Sequence, residues 1–307
     1  MKMVVTGGAG FMGSHLVNRL VSQGYEVHVI DNLTTGDPGR LHSEAVLHVT
    51  DVGSEQAATY VKLLKPDTVF HLAAQSDVEQ SIQTPTSDAY ANIAGTLNML
   101  EACRTAKVRK IIFASTSQVY GNSEQNVLTE NDSVCPTSFF ALSKLVAEQY
   151  IRLHQQFYGL EYTILRYANV YGPGQTTGSE GSIIAAIGKH VSCGVPLNIY
   201  GDGTQTRDFI YINDVVEATL AASKLAHSDT LHVSTGQMVS VNQLIDMARV
   251  QYPDAIHINY LPPKPGDVLR ICLDNSKARS LLNWKPEYTI EQGFLETSRH
   301  WAILSST

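Results

Sequence analysis

Cysteine is scarce in this 307-residue chain. Its four residues, Cys103, Cys135, Cys193 and Cys272, are scattered and form no paired spacing. That excludes a zinc ribbon or a disulfide framework and reads as reduced, structural thiols. The eleven histidines form no metal-ligand cluster either. No apolar run reaches membrane-spanning length, and the amino terminus goes straight into a strand pattern instead of a secretion signal, so a cytoplasmic location is expected. Charged residues make up 17% of the chain and the formal net charge is -7, which leaves no global field to attract nucleic acid or an anionic membrane. An anionic ligand would have to be held by local groups. No internal repeat or low-complexity segment is present, and the length allows one large domain or two lobes.

What the chain does have is a set of spaced glycines at its start. An apolar stretch, Met3-Val4-Val5, passes through Gly7, Gly10 and Gly13 into an apolar pattern of helical period at Phe11, Leu16, Val17 and Leu20. That is a strand, a tight turn and a helix. Glycine is wanted where a side chain would hold the backbone away from a pyrophosphate, whose charge can meet the N–H groups and positive dipole end of the helix. Gly7, Gly10, Phe11, Met12 and Gly13 are therefore candidate cofactor-binding residues, although the spacing alone also fits a turn that binds nothing. A second strand, 26–30, ends in Asp31-Asn32, at roughly the twenty-residue distance where an acid receives the ribose hydroxyls of a dinucleotide. A carboxylate accepts both hydroxyls and repels a 2'-phosphate. No Lys or Arg lies between Asp31 and Arg40, so the expected cofactor is NAD and not NADP.

Downstream, strands and helices alternate. Residues 46–48, 68–72, 110–115 and 162–166 read as strands, and 54–64, 85–105 and 140–157 as helices. This pace predicts an α/β protein, a doubly wound parallel sheet of the Rossmann kind followed by a smaller carboxyl-terminal α/β lobe. Leu72, Ala73, Ala74, Gln75 and Ser76 form a small-residue turn at a strand's carboxyl end, which leaves room for a ligand, and Ser115, Thr116, Ser117 and Gln118 place a hydroxyl cluster at the end of the next strand. Asp51, Val52 and Asn92 join the cofactor-side candidates, with Asp51, Asn92 and His71 read as supporting groups and not catalytic ones. From Asn169 onward the chain changes character, with loops at 170–181 and 200–208, helices at 182–190, 214–225 and 241–250, and a proline-rich stretch at 261–266. The expected division is 1–167 for the dinucleotide-binding domain, with return segments near 206–230, and 168–307 for a lobe that covers the ligand.

Several blocks occur in a fixed order: Thr6-Gly7-Gly8-Ala9-Gly10-Phe11-Met12-Gly13, His71-Leu72-Ala73-Ala74-Gln75, Ser115-Thr116-Ser117-Gln118-Val119-Tyr120-Gly121 and Ser143-Lys144. They continue through Arg166-Tyr167-Ala168-Asn169-Val170-Tyr171-Gly172-Pro173, Gly201-Asp202-Gly203-Thr204-Gln205-Thr206-Arg207-Asp208-Phe209, Pro265-Gly266-Asp267 and Trp284-Lys285-Pro286. Nearly end to end, the chain resembles the extended short-chain dehydrogenase/reductases, and within them the nucleotide-sugar epimerase and dehydratase branch. The resemblance implies that Thr116 hydrogen-bonds the sugar O4 and that Lys144 binds the nicotinamide ribose and lowers the pKa of a catalytic tyrosine. That tyrosine normally sits four residues before the lysine, one helical turn away on the same face. Here the position holds Phe140, which has no ionisable group to remove the O4 proton. Three readings stand side by side: a deliberate Tyr-to-Phe substitution, a natural replacement with proton transfer moved to Thr116, Ser117 or a water held by Lys144, and a protein that binds without turnover.

The resemblance also implies that Asn169 lies beside a substrate pyrophosphate, that Arg207 clamps it, and that Lys264 stands where arginine is common; Ser76 and Tyr200 complete the substrate set. Lysine keeps the charge at 264 but loses the two-pronged geometry. Related 4,6-dehydratases carry an Asp-Glu pair directly after the threonine, where this chain has Ser117 and Gln118. Without those acids, removal of the C5 proton and loss of water from C6 lack a catalyst, so 4-epimerisation is favoured. A 4,6-dehydratase or a UDP-glucuronate decarboxylase remains the alternative, as does a non-catalytic binder of NAD and nucleotide sugar. A UDP-hexose, UDP-N-acetylhexosamine or UDP-uronic acid fits the resemblance. Pairing of family members through two long helices, here 85–105 and 140–157, implies a homodimer.

Overall fold

The computed structural model describes residues 1–176, 183–263 and 269–304. Six parallel strands, β1 (Lys2–Thr6), β2 (Glu26–Asp31), β3 (Val46–Val49), β4 (Thr68–His71), β5 (Lys110–Thr116) and β6 (Glu161–Tyr167), share one sheet with the later strand Asp229–Val233. Across the sheet the order is Asp229–Val233, β6, β5, β4, β1, β2, β3. The chain therefore moves outward from β1 in one direction and from β4 in the other. At such a reversal the connecting helices leave on opposite faces and open a crevice at the strands' carboxyl ends. Thr6 pairs with both Ile30 and His71, so the turns that leave β1, β2 and β4 meet at that crevice.

Strands buried on both faces carry near-continuous apolar runs, and the middles of β1, β4 and β5 do, with Val4, Val5, Val69, Phe70, Ile111, Ile112 and Phe113 all inaccessible to solvent. Helix α1 (Phe11–Ser22) buries Leu16, Val17, Leu20 and Val21. The next helix, Glu55–Leu64, starts at a cap in which the Ser54 hydroxyl accepts from Ala57 N. The expected single helix over 85–105 is interrupted: Pro85–Ala89 and Gly95–Ala106 are α-helical, and a π-helical turn, Tyr90–Ala94, lies between them. The apolar period runs through all three, which is why the sequence reads as one helix.

The return to the sheet runs through helix Ile212–Leu225 and strand Asp229–Val233, whereas Thr206–Tyr211, inside the expected return near 206–230, lies in a separate four-stranded sheet with Met238–Ser240, Arg270–Ile271 and Asn169–Tyr171. Two further strands, Leu197–Tyr200 and Ile258–Leu261, pair with each other. The ranges 170–181 and 200–208, expected as loops, thus each include strand residues at one or both ends. The strands are short and their apolar residues few, so turn composition hides them. No helix among the described residues is long and apolar enough to cross a membrane.

Candidate active site

The crevice between β1 and β4 opens into a cavity of about 510 Å³. Its floor is the glycine-rich turn. Gly7 has φ +67°, and a Cβ there would lie 2.7 Å from Ala73 N; at Gly13 a Cβ would lie 2.1 Å from Gly7 O. Both positions thus exclude any side chain. The amino end of α1 is capped by Gly10 with no side-chain hydrogen bond, and no acid stands in its first turn. Such a helix end presents N–H groups and the positive end of the dipole to an anion. These features fit the pyrophosphate of a dinucleotide.

Asp31 closes the next wall. Its carboxylate accepts from Ala9 N at 2.9 Å and Leu33 N at 2.8 Å, so it holds the glycine-rich turn while lining the cavity. A carboxylate has about four lone-pair sites, which leaves acceptor capacity for ribose hydroxyls. Asn32 Nδ2 donates to Asp51 Oδ2 at 2.9 Å, and Asp51 and Val52 line the same end.

The turn after β4 is fixed to the glycine-rich turn by a buried relay. Ala73 N donates to Thr6 Oγ1 at 3.2 Å, and Thr6 Oγ1 lies 2.7 Å from His71 Nδ1. On the other side, His71 Nε2 is 3.0 Å from Thr96 Oγ1, whose proton goes to Asn92 O at 2.6 Å. Thr96 can only accept from the ring, so the His71 Nε2 carries a proton. Burial, and secondarily the charge of Lys144, pushes the His71 pKa down to about 3. Asn92 sits in the π-helical turn. Its Oδ1 accepts from Gln75 N at 2.9 Å, while Nδ2 donates to Gln75 O at 2.9 Å and Ser143 Oγ at 3.0 Å. It therefore ties the cofactor-side turn to helix Phe139–Tyr158 without lining the cavity.

That helix begins at Ser138, whose side chain accepts from Ala141 N. One turn in, Phe140 and Lys144 share a face and both line the cavity. Phe140 is 1% exposed, and Lys144 Nζ stands 4.6 Å from the centroid of the Phe113 ring. Ser115, at the end of β5, lines the cavity too, and its hydroxyl donates to Glu148 Oε1 at 2.6 Å. It thus offers only lone pairs to a ligand. Burial disfavours the Glu148 charge, but Arg166 at 2.7 Å and the other donors outweigh it and hold the carboxyl below the usual range.

The cavity brings together Gly7, Gly10, Phe11, Met12, Gly13, Asp31, Asn32, Asp51, Val52, Leu72, Ala73, Ala74, Gln75, Ser76, Ser115, Phe140 and Lys144. It does not bring in Thr116, Ser117, Gln118, Asn169, Tyr200 or Arg207. The Thr116 hydroxyl accepts from Gln118 N at 3.2 Å and caps the short helical turn Ser117–Tyr120. Asn169 pairs with Phe209, Arg207 with Val239, and Tyr200 with Leu261, all in the second lobe. Lys264 lies outside the described residues. The sequence reading missed Thr34, Thr35, Arg40, Tyr90, Gln175 and Thr176, which also line the cavity. The hydroxyl pair directly after Asp31-Asn32-Leu33 was a usable signal for the first two; nothing local marks the others. No cluster of three or more metal-ligating side chains occurs among the described residues.

A glycine floor, an acid at the second strand's end and a helix that carries Lys144 define a nicotinamide-dinucleotide protein of the doubly wound class. The chain belongs to the NAD dependent epimerase/dehydratase family, whose sequence model matches residues 3–233. It is 39% identical, over 95% of either chain, to the putative UDP-glucose 4-epimerase of Methanocaldococcus jannaschii. Among solved structures it is similar to the UDP-glucose 4-epimerase of Thermotoga maritima with UDP-glucose, at 36% identity, TM-score 0.95 and 99% coverage of both chains. It is also similar to a Tyr-to-Phe mutant of UDP-glucuronic acid 4-epimerase from Bacillus cereus, in complex with UDP-4-deoxy-4-fluoro-glucuronic acid and NAD. There the identity is 30%, the TM-score 0.91, and the match covers 99% of this chain and 100% of that one.

Proposed function

We propose that this chain is built as an NAD-dependent UDP-sugar 4-epimerase and that Phe140 holds it in an impaired form. The observation that carries the reading is the joint placement of Phe140 and Lys144 in the cavity that the glycine-rich turn floors. NAD bound there would accept a hydride from the sugar's C4 and return it to the other face. The chain's own part is to bind and orient. Lys144 supplies a fixed positive charge beside the nicotinamide ribose, Ser115 accepts from a ligand donor, and Thr116 meets the sugar O4. Asn169, Arg207 and Tyr200 hold the nucleotide diphosphate from the second lobe, and the resemblance adds Lys264, outside the described residues, to that set.

A phenyl ring at 140 accepts no proton, and loss of a general base costs on the order of a hundred- to ten-thousandfold in rate. Ser117 and Gln118 supply no acid for dehydration, which favours epimerisation over the 4,6-dehydratase or decarboxylase outcome. The second reading, a binder without turnover, is favoured by Phe140 itself. Incubating the chain and its Phe140→Tyr variant with NAD and a panel of UDP-sugars separates them. Product from Phe140→Tyr alone fits the impaired enzyme, product from both moves the base elsewhere, and product from neither leaves a binding protein.

The same reading makes the protein a cytoplasmic homodimer. Its four cysteines are free, as a reducing compartment keeps them. Phe139, Leu142, Tyr150, Leu153 and Phe157 form an exposed apolar stripe of helical spacing on Phe139–Tyr158. Sedimentation at monomer mass would contradict the pairing.

A further inference from the structure

Strand Asn169–Tyr171 and the segment after it put Val170, Gln175 and Thr176 into the same cavity wall as the glycine-rich turn. The segment is a closed hook. Gln175 N donates to Gly172 O at 3.3 Å, and Gln175 Nε2 donates to Val170 O at 2.9 Å. Gly172 presses on the helix Ile212–Leu225, where a Cβ would meet Ile212 Cγ2 at 2.4 Å. The base of the hook is therefore fixed.

Two side chains from the dinucleotide-binding side grip its tip. Arg40 Nη1 donates to Gly174 O at 2.8 Å, and His15 Nε2 donates to Pro173 O at 3.0 Å. The foot of Arg40 is anchored in turn. Its carbonyl accepts from Asn18 Nδ2 of α1 at 3.0 Å, its Nε lies 3.5 Å from Asp37 Oδ2, and Asp37 N donates to Ala9 O in the glycine-rich turn at 2.9 Å. Arg40 itself lines the cavity. One side chain, rooted where the pyrophosphate would sit, thus reaches across to a segment of the other lobe.

We propose that Arg40 is a positioning residue for cofactor retention: with His15 it forms a clasp across the dinucleotide cavity, and NAD enters and leaves by opening that clasp. The inference rests on this cavity being the NAD site. Both acceptors are backbone carbonyls, so the grip does not depend on the side chains of the hook. A gate and a ligand contact differ kinetically. Loosening a gate speeds entry and exit together and leaves affinity nearly unchanged, whereas deleting a ligand contact speeds exit alone.

The test is stopped-flow binding and exchange of NAD on the purified chain, the readout being the on- and off-rates. Arg40→Ala should raise both by about tenfold, on the order expected for one lost hydrogen bond from a charged donor, with Kd changed by less than about threefold. Arg40→Lys, which can still reach one carbonyl, should fall between. Arg104→Ala, which removes an exposed partner of Glu101, should change neither rate. Should Arg40→Ala fail to fold, Arg40→Gln takes its place. An off-rate that rises alone, or two unchanged rates in a folded variant, overturns the clasp. A parent chain that takes up no NAD overturns the cavity assignment and the clasp with it.

Discussion

At the cofactor cavity the backbone supplies the anion-binding surface; on the proposed reading, the sugar is held by side chains from separate segments outside that cavity. Gly7, Gly10 and Gly13 act by having no Cβ, and the close approach of Gly13 to Gly7 O fixes their turn within seven residues of chain. Thr116, Asn169, Tyr200 and Arg207 come from four strands in three sheets, and none of them lines the cavity. A site made of local backbone is complete once β1 and α1 pack. A site made of distant side chains depends on how the second lobe meets the first.

The largest expected effect lies where the two ends meet. Phe140→Tyr should raise 4-epimerisation by a hundred- to ten-thousandfold, read as kcat on a UDP-hexose, with little change in NAD affinity. An unchanged rate would move the proton acceptor to another group. Next comes the cofactor floor. Gly13→Val places methyl groups into Gly7 O and Gly8, and NAD affinity by calorimetry should fall by about a hundredfold or more. At the sugar end, Arg207→Ala should weaken UDP-sugar binding by roughly ten- to a hundredfold and leave NAD binding intact. If it weakens NAD equally, the two ends are not separable and the contrast fails.

The smallest effect per pH unit concerns the buried relay behind the cofactor turn. His71 has a folded-state pKa of about 3, below its unfolded value near 6.5, so the unfolded chain takes up the proton first. Its contribution to stability is whole above pH 6.5 and is lost as pH falls from there toward 3. Unfolding midpoints in denaturant at pH 7, 5.5 and 4.5 should decline, and His71→Gln should flatten the decline by up to about a tenfold change in the folding constant per pH unit. Equal slopes in both proteins would show that the ring is not the buried, neutral group that links Thr6 to Thr96.

Legibility in the sequence followed the same division. The glycine spacing and Asp31 announced the dinucleotide crevice because each is a local rule with a steric or electrostatic reason. The seven-stranded sheet was readable from strand and helix periods, yet the π-helical turn at Tyr90–Ala94 was not, since Tyr90, Ile93, Leu97 and Leu100 keep α-helical spacing straight across it. Asn92 could be named a candidate but not given its task. Only in three dimensions do Gln75 and Ser143 come within reach of one amide. Arg40 was noticed only as the end of a stretch without cations, and its tie to Gly174 spans 134 residues that no local pattern connects.

On the proposed reading, 4-epimerisation requires a hydrogen that leaves the sugar's C4 and comes back to the same carbon. Phe140→Tyr protein loaded with NAD and given UDP-galactose deuterated at C4 offers the most direct measurement, with the product analysed by NMR and mass spectrometry. We expect UDP-glucose that retains the deuterium at C4. Deuterium lost to water, a product short of water or carbon dioxide, or no product from any UDP-sugar would contradict the assignment.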